Sequence, residues 1–136
     1  MQLPIYSSDE EQLLMSRLWE PRIADDPEAF VLFAFPWGQA NTPLAKFKGP
    51  RQWQRDVLRT ISTHIKTNQG KVDMATLREA VSSGRGIGKS ALVSWLILWM
   101  LTTRIGSSVV VSANSESQLR SVTWGELTKW QAMIIN

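Results

Sequence analysis

Along most of this chain the apolar residues recur at the three- and four-residue steps of a helix, and two short stretches break that rhythm. The first helix is predicted to open on a capping box, Ser8 with Glu11, with Asp9, Glu10 and Glu11 at its positive end. Leu14, Met15 and Leu18 share its apolar face, and Pro21 ends it. A second, short helix starts at Asp26-Pro27, where aspartate caps and proline takes the first helical position. Ala29 to Phe35 is apolar almost all round, so this helix must be covered. Pro36-Trp37-Gly38 breaks it and opens an extended loop that reaches Gly49. From Pro50 the clearest amphipathic helix follows. Trp53, Val57, Leu58, Ile61 and Ile65 lie on one face, and Arg51, Arg55 and Arg59 on others. It runs to about Lys66, and Asn68-Gln69-Gly70 stops it.

The two exceptions read as strands: Thr76 to Ser82, and Ser107 to Ala113 with its β-branched Val109-Val110-Val111. Between them Ala91 to Leu101 is an apolar run of eleven residues, about half of what a membrane span needs. It is expected to form a buried helix that Gly106 terminates. Ser115 with Gln118 forms a further capping box. Leu119, Val122, Trp124, Leu127, Trp130 and Ile134 then sustain a final helix. Strand, loop, helix, strand, helix predicts an α/β domain, a parallel sheet with flanking helices and right-handed crossovers.

Composition adds limits. The 136 residues are about one domain's worth, and 43% hydrophobic content suffices for a core. With no cysteine there is neither a disulfide framework nor a cysteine-ligated metal site, which fits an intracellular protein. No basic-then-apolar leader opens the chain. A net charge of +3 allows polyanion binding but fits an ordinary solvated surface equally well. Several of the seven tryptophans fall at helical spacing beside other apolar residues, and core packing explains those better than base stacking. His64, near a helix end, receives no role.

The chemistry lies in Ser83-Gly84-Arg85-Gly86-Ile87-Gly88-Lys89-Ser90, placed between the first strand and the apolar helix. Glycines there let successive N–H groups converge on one anion, and the helix beginning near Gly88 adds unpaired donors and partial positive charge. Lys89 is placed to reach the β- and γ-phosphates of ATP, and the Ser90 hydroxyl to bind Mg²⁺. The general phosphate-loop pattern has glycine where this chain has Ser83. The plainer alternative is a glycine-rich turn with a solvated lysine.

Three segments together resemble the large terminase subunit of tailed bacteriophages, the ATP-driven motor that packages DNA into proheads. Phe35-Pro36-Trp37-Gly38, followed by Thr42-Pro43-Leu44, looks like a segment found upstream of the ATPase core in one branch of that family. Gly49-Pro50-Arg51-Gln52-Trp53-Gln54-Arg55-Asp56 looks like its adenine-recognition motif. Ser82 to Ser90 looks like its phosphate loop, in which the first glycine is often replaced and an arginine precedes the last glycine by three residues.

The resemblance implies a P-loop NTPase-like sheet, here incomplete. A helical lead-in would occupy residues 1–45, and the first part of the ATPase domain residues 46–136. It implies that Ser83, Gly84, Arg85, Gly86, Ile87, Gly88, Lys89 and Ser90 hold ATP. Gln54 would contact the base, with Gln52 the weaker candidate. A glutamine amide matches the donor–acceptor edge of adenine, although without the resemblance both read as solvated polar residues. Lys89 and Arg85 are the catalytic residues it implies. Arg85 either stabilises charge in the transition state or holds ground-state phosphate.

Partners implied are double-stranded DNA, a terminase small subunit and a portal protein, in the host cytoplasm and with no membrane. Asn114-Ser115 follows the second strand where hydrolysis would need carboxylates, and no nuclease cluster is present. The expected protein is therefore an amino-terminal piece of a longer chain, marginally stable alone, with its loop helix partly uncovered. A helicase-like ATPase fragment, and a nucleotide-binding module or prophage remnant without turnover, are the rival readings.

Overall fold

A computed structural model describes residues 7–69, 76–81, 88–104, 106–112 and 115–134, apart from the side chain of Gln118. Its regular elements are α1 (Ser8–Leu18), α2 (Pro21–Ala24), α3 (Pro27–Ala34), α4 (Gln52–Thr67) and α5 (Lys89–Thr103). After them come α6 (Glu116–Gln118), a π-helical stretch (Leu119–Trp124) and α7 (Gly125–Met133).

The parallel sheet expected from the sequence is not formed: among the described residues there is no strand. Residues 76–81 are exposed throughout and form no regular element, and neither do residues 107–112, where Val110 is 91% exposed. The physical reason lies in α5, whose apolar surface is covered by helices. It packs mainly on α7, on α3 and on the π-helical stretch, so the layer that a sheet would supply is already taken. Two short segments alone would in any case make only a marginal two-stranded sheet.

The helices themselves follow local chemistry. Ser7, one residue earlier than expected, caps α1. Its hydroxyl accepts from the Glu10 N–H at 3.3 Å, and its own N–H donates to the Glu10 carboxylate at 2.8 Å. Donation from Ser7, its backbone N–H first and its hydroxyl second, holds the Glu10 carboxyl below its ordinary pKa. Pro21 does end α1, but it also starts α2, a turn that the sequence pattern did not anticipate. Asp26 caps α3 as expected, its Oδ1 accepting from the Ala29 N–H at 3.1 Å. Ser62 Oγ at 2.7 Å and Lys66 Nζ at 3.0 Å reach the same carboxylate from α4, tying the two helices together. Glu28, in the first turn of α3, meets Arg59 at 3.1 Å and Arg55 at 3.6 Å.

One core runs through the molecule. It joins Leu18, Ile23, Phe30, Val31 and Phe35 of the first 45 residues to Leu58, Leu92, Trp95, Trp99 and Trp130. The far end of α5 is fastened to the early helices by indole donors: Trp99 Nε1 to the Ala24 carbonyl at 2.8 Å, and Trp19 Nε1 to the Thr102 carbonyl at 3.0 Å. Arg104, just past that end, pairs with Asp25 at 3.2 Å and lies over the Trp99 ring. Only the second half of the final helix reaches the core. Trp130 and Met133 are buried, whereas Val122 and Trp124, expected on the same apolar face, stay substantially exposed in the π-helical stretch. Val93 and Leu101 of α5 are also uncovered. Among the described residues, no helix is long and apolar enough to cross a membrane.

Candidate functional site

Two helices meet at their amino ends. Helix α4 begins after Arg51, whose backbone N–H donates to Gln54 Oε1 at 2.8 Å, so the glutamine closes its own helix end from inside. The same side chain turns its amide outward from α4, and Gln54 Nε2 donates to the Gly88 carbonyl at 2.9 Å. Gln54 is a polar side chain only 3% exposed, and these two bonds are what make its burial tolerable. The link joins residues 34 positions apart and brings the adenine-motif glutamine against the end of the phosphate-loop segment.

Gly88 is the N-cap of α5 and has φ +92°, a left-handed conformation that side-chain-bearing residues rarely adopt. A Cβ at this position would also displace Gln54 Nε2, the tip of a side chain, from its place. Its carbonyl accepts twice, from Gln54 and from the Leu92 N–H at 3.1 Å. Among the described residues no side chain caps α5, and its first turn contains no acidic residue and begins with Lys89. Lys89 is exposed and Ser90 half-buried beside it.

The structure thus brings Gln54, Gly88, Lys89 and Ser90 into one neighbourhood. The assignments to Ser83, Gly84, Arg85, Gly86 and Ile87 lie outside the described residues. Gln52, the weaker base-contact candidate, points along the surface of α4 and donates to Asp56 Oδ1 at 2.8 Å. His64 sits one turn from the end of α4, where its carbonyl accepts from Asn68 Nδ2 at 2.8 Å. Among the described residues no group of three or more histidine, aspartate or glutamate side chains is gathered to hold a metal ion.

A feature that sequence reading missed adjoins this junction. A cavity of about 280 Å³ opens beside Gln54 and Gly88. Its apolar walls are Trp37, Leu44, Phe47, Trp95 and Trp130, and Arg51 and Lys129 stand among its polar lining. The rings interlock edge to face. Trp95 lies 5.8 Å from Trp37 and 5.2 Å from Trp130, and Phe35 lies 5.1 Å from Trp130, all near perpendicular. Trp37 is fixed by its indole N–H on the Val31 carbonyl at 2.9 Å, and Trp130 by its own on Glu126 at 2.9 Å. Reading the tryptophans as core residues was correct for Trp95, Trp99 and Trp130. It gave no hint that three rings separated by up to 93 positions would pack together along one cavity, because nothing in local spacing records which helices become neighbours.

Trp95 carries a second anomaly. Its Nε1 is buried and finds no acceptor among the described residues. A buried donor left unpaired ordinarily costs about 1–3 kcal/mol. Compared with protein-family models, curated proteins and solved structures, the chain matches none.

Proposed function

We propose that this chain binds ATP at the amino end of α5, as the ATP-binding portion of a terminase large subunit. The observation that carries the reading is the Gln54 Nε2 to Gly88 carbonyl bond of 2.9 Å. Two segments singled out separately in the sequence, one for adenine and one for phosphate, converge in space through that bond. The chemistry supports it further. A helix start with glycine at the N-cap, lysine at the first position and no acid in the first turn suits a polyanion.

In this reading the triphosphate lies over the first turn of α5. Lys89 neutralises its β- and γ-oxygens, and the Ser90 hydroxyl contributes to Mg²⁺ binding. The resemblance to terminases assigns Ser83, Gly84, Arg85, Gly86 and Ile87, which lie outside the described residues, to the same ATP. Binding then depends on helix ends and a loop, with the helical layer around α5 holding them in place. Packaging of double-stranded DNA, and contacts to a small subunit and a portal, belong to the same proposal through the resemblance to terminases.

The test is ATP affinity by calorimetry, with and without Mg²⁺, for the unaltered chain and for Lys89→Ala. Lys89→Ala is expected to weaken ATP about tenfold or more, and Mg²⁺ to strengthen binding to the unaltered chain. Equal affinity of the two chains would overturn the assignment.

A further inference from the structure

The cavity beside Gln54 combines two kinds of lining. Trp37, Leu44, Phe47 and Trp130 make most of it apolar, while Arg51 at the start of α4 and Lys129 on α7 add positive charge. Among the described residues its lining holds no acidic side chain. The loop that supplies Leu44 and Phe47 strengthens this bias. Residues 29–55 contain no aspartate or glutamate, and Lys46 and Lys48 stand exposed on either side of Phe47. Lys129 holds its ammonium 5.4 Å from the centre of the Trp130 ring, so charge and apolar wall lie side by side. Its contact with Glu126 is 3.7 Å, too long for a hydrogen bond, and the donors of the ammonium can serve a second anion. The space is reached from solvent, since its wall residue Phe47 is 54% exposed.

We infer that this cavity binds a small aromatic carboxylate, its ring along Trp37, Leu44 and Phe47 and its carboxylate on Arg51 and Lys129. Size sets the class of ligand. An apolar cavity of about 150 Å³ accepts benzene, so a space of about 280 Å³ takes a benzene ring with a short arm. Chemistry sets the rest. A neutral hydrocarbon would cover the apolar walls and leave both cations unused, and an inorganic anion would do the reverse. A carboxylate carried on an aryl arm answers to both, with charge-assisted bonds at one end and ring contacts at the other. The inference goes beyond the nucleotide reading and stands without it. Lys89 and Ser90, which that reading assigns to phosphate and Mg²⁺, are not part of this lining.

The probe is 3-phenylpropionate, titrated into the full chain and followed by proton–nitrogen NMR of the indole resonances. Saturable shifts of the Trp37 and Trp130 indole signals are expected. The neutral counterpart 3-phenylpropanol, which keeps the ring and loses the charge, should bind about tenfold more weakly. Lys129→Gln, which keeps the length of the side chain and removes its charge, should weaken 3-phenylpropionate by a similar factor and leave 3-phenylpropanol unchanged. No saturable binding up to about 10 mM would overturn the inference. Equal affinity for the acid and the alcohol would overturn it too, as would shifts confined to signals other than Trp37 and Trp130. These three outcomes are read on the unaltered chain, so a variant that fails to fold does not conceal the answer. Lys89→Ala separates this proposal from the nucleotide one. It should weaken ATP and leave 3-phenylpropionate unchanged, whereas a matching loss for both ligands would place the carboxylate at the first turn of α5 and overturn the cavity assignment. Failure of 3-phenylpropionate to bind a chain that still binds ATP would sink this inference alone.

Discussion

The amino ends of α3 and α5 lie in the same core and are finished in opposite ways. Helix α3 is closed by protein groups alone. Asp26 caps it, Pro27 fills its first position, Glu28 sits in its first turn, and Ser62 and Lys66 bind the capping carboxylate from α4. Helix α5 has a left-handed glycine for its cap, no capping side chain, no acid in its first turn and a lysine at its first position. The dipole that an acid offsets in the first turn of α3 has no acidic residue in the first turn of α5, which carries a lysine instead. An end of the first kind holds a fold together, whereas one of the second kind is suited to receiving an anion. The contrast predicts that stability and ligand binding respond to different residues.

The largest effect expected is on stability, at α3. Asp26→Ala removes a helix cap and two charge-assisted bonds to α4, and should destabilise by about 2–3 kcal/mol in urea melts. ATP affinity of the folded fraction should not change, and a parallel loss of affinity would erase the distinction between the two ends. Next comes Gly88→Ala, which forces a side chain into φ +92° and displaces Gln54. It is expected to cost about 2 kcal/mol and to weaken ATP as well, because it disturbs both the fold and the anion end. Lys89→Ala, by contrast, should weaken ATP about tenfold and leave the melt within about 0.5 kcal/mol, as suits an exposed first-turn residue.

The smallest effect is that of acid. Burial pushes the Asp26 carboxyl up, but the bonds from Ser62, the Ala29 N–H and Lys66, with the Lys66 charge, outweigh it and leave its pKa below the ordinary value. A carboxylate whose folded pKa is depressed stabilises fully above about pH 4, and that stability is lost as pH falls through the folded value. Melts at about pH 7 and about pH 3 should therefore show a smaller acid-induced loss for Asp26→Asn than for the unaltered chain. An equal loss would place the acid-sensitive group elsewhere.

How much of this was legible beforehand differs between the same two places. Asp26-Pro27 announces its helix start in two adjacent residues, and the structure agrees to the residue. The α4 face of Leu58 and Ile65 is likewise buried as its spacing indicated. At α5 the sequence marked Gly88, Lys89 and Ser90, and the helix does begin there. It did not mark the aromatic cavity. It also misjudged residues 76–81 and 107–112 as strands, because β-branched runs record a fit to a pleated surface and not the presence of a partner. Val122 and Trp124 were misplaced for a related reason, since a π-helical stretch breaks the spacing that assigned them to the core.

What the sequence alone determined is local: where helices cap and which helix faces are apolar. Such features depend on residues within a turn or two of each other, so their physics is written in adjacent letters. Tertiary structure decided that α5 is covered by helices with no sheet among the described residues, that Gln54 reaches Gly88, and that Trp37, Trp95 and Trp130 line one cavity. Those outcomes depend on which distant surfaces bury each other best. Many pairings satisfy the same hydrophobic pattern, and only the assembled packing selects among them.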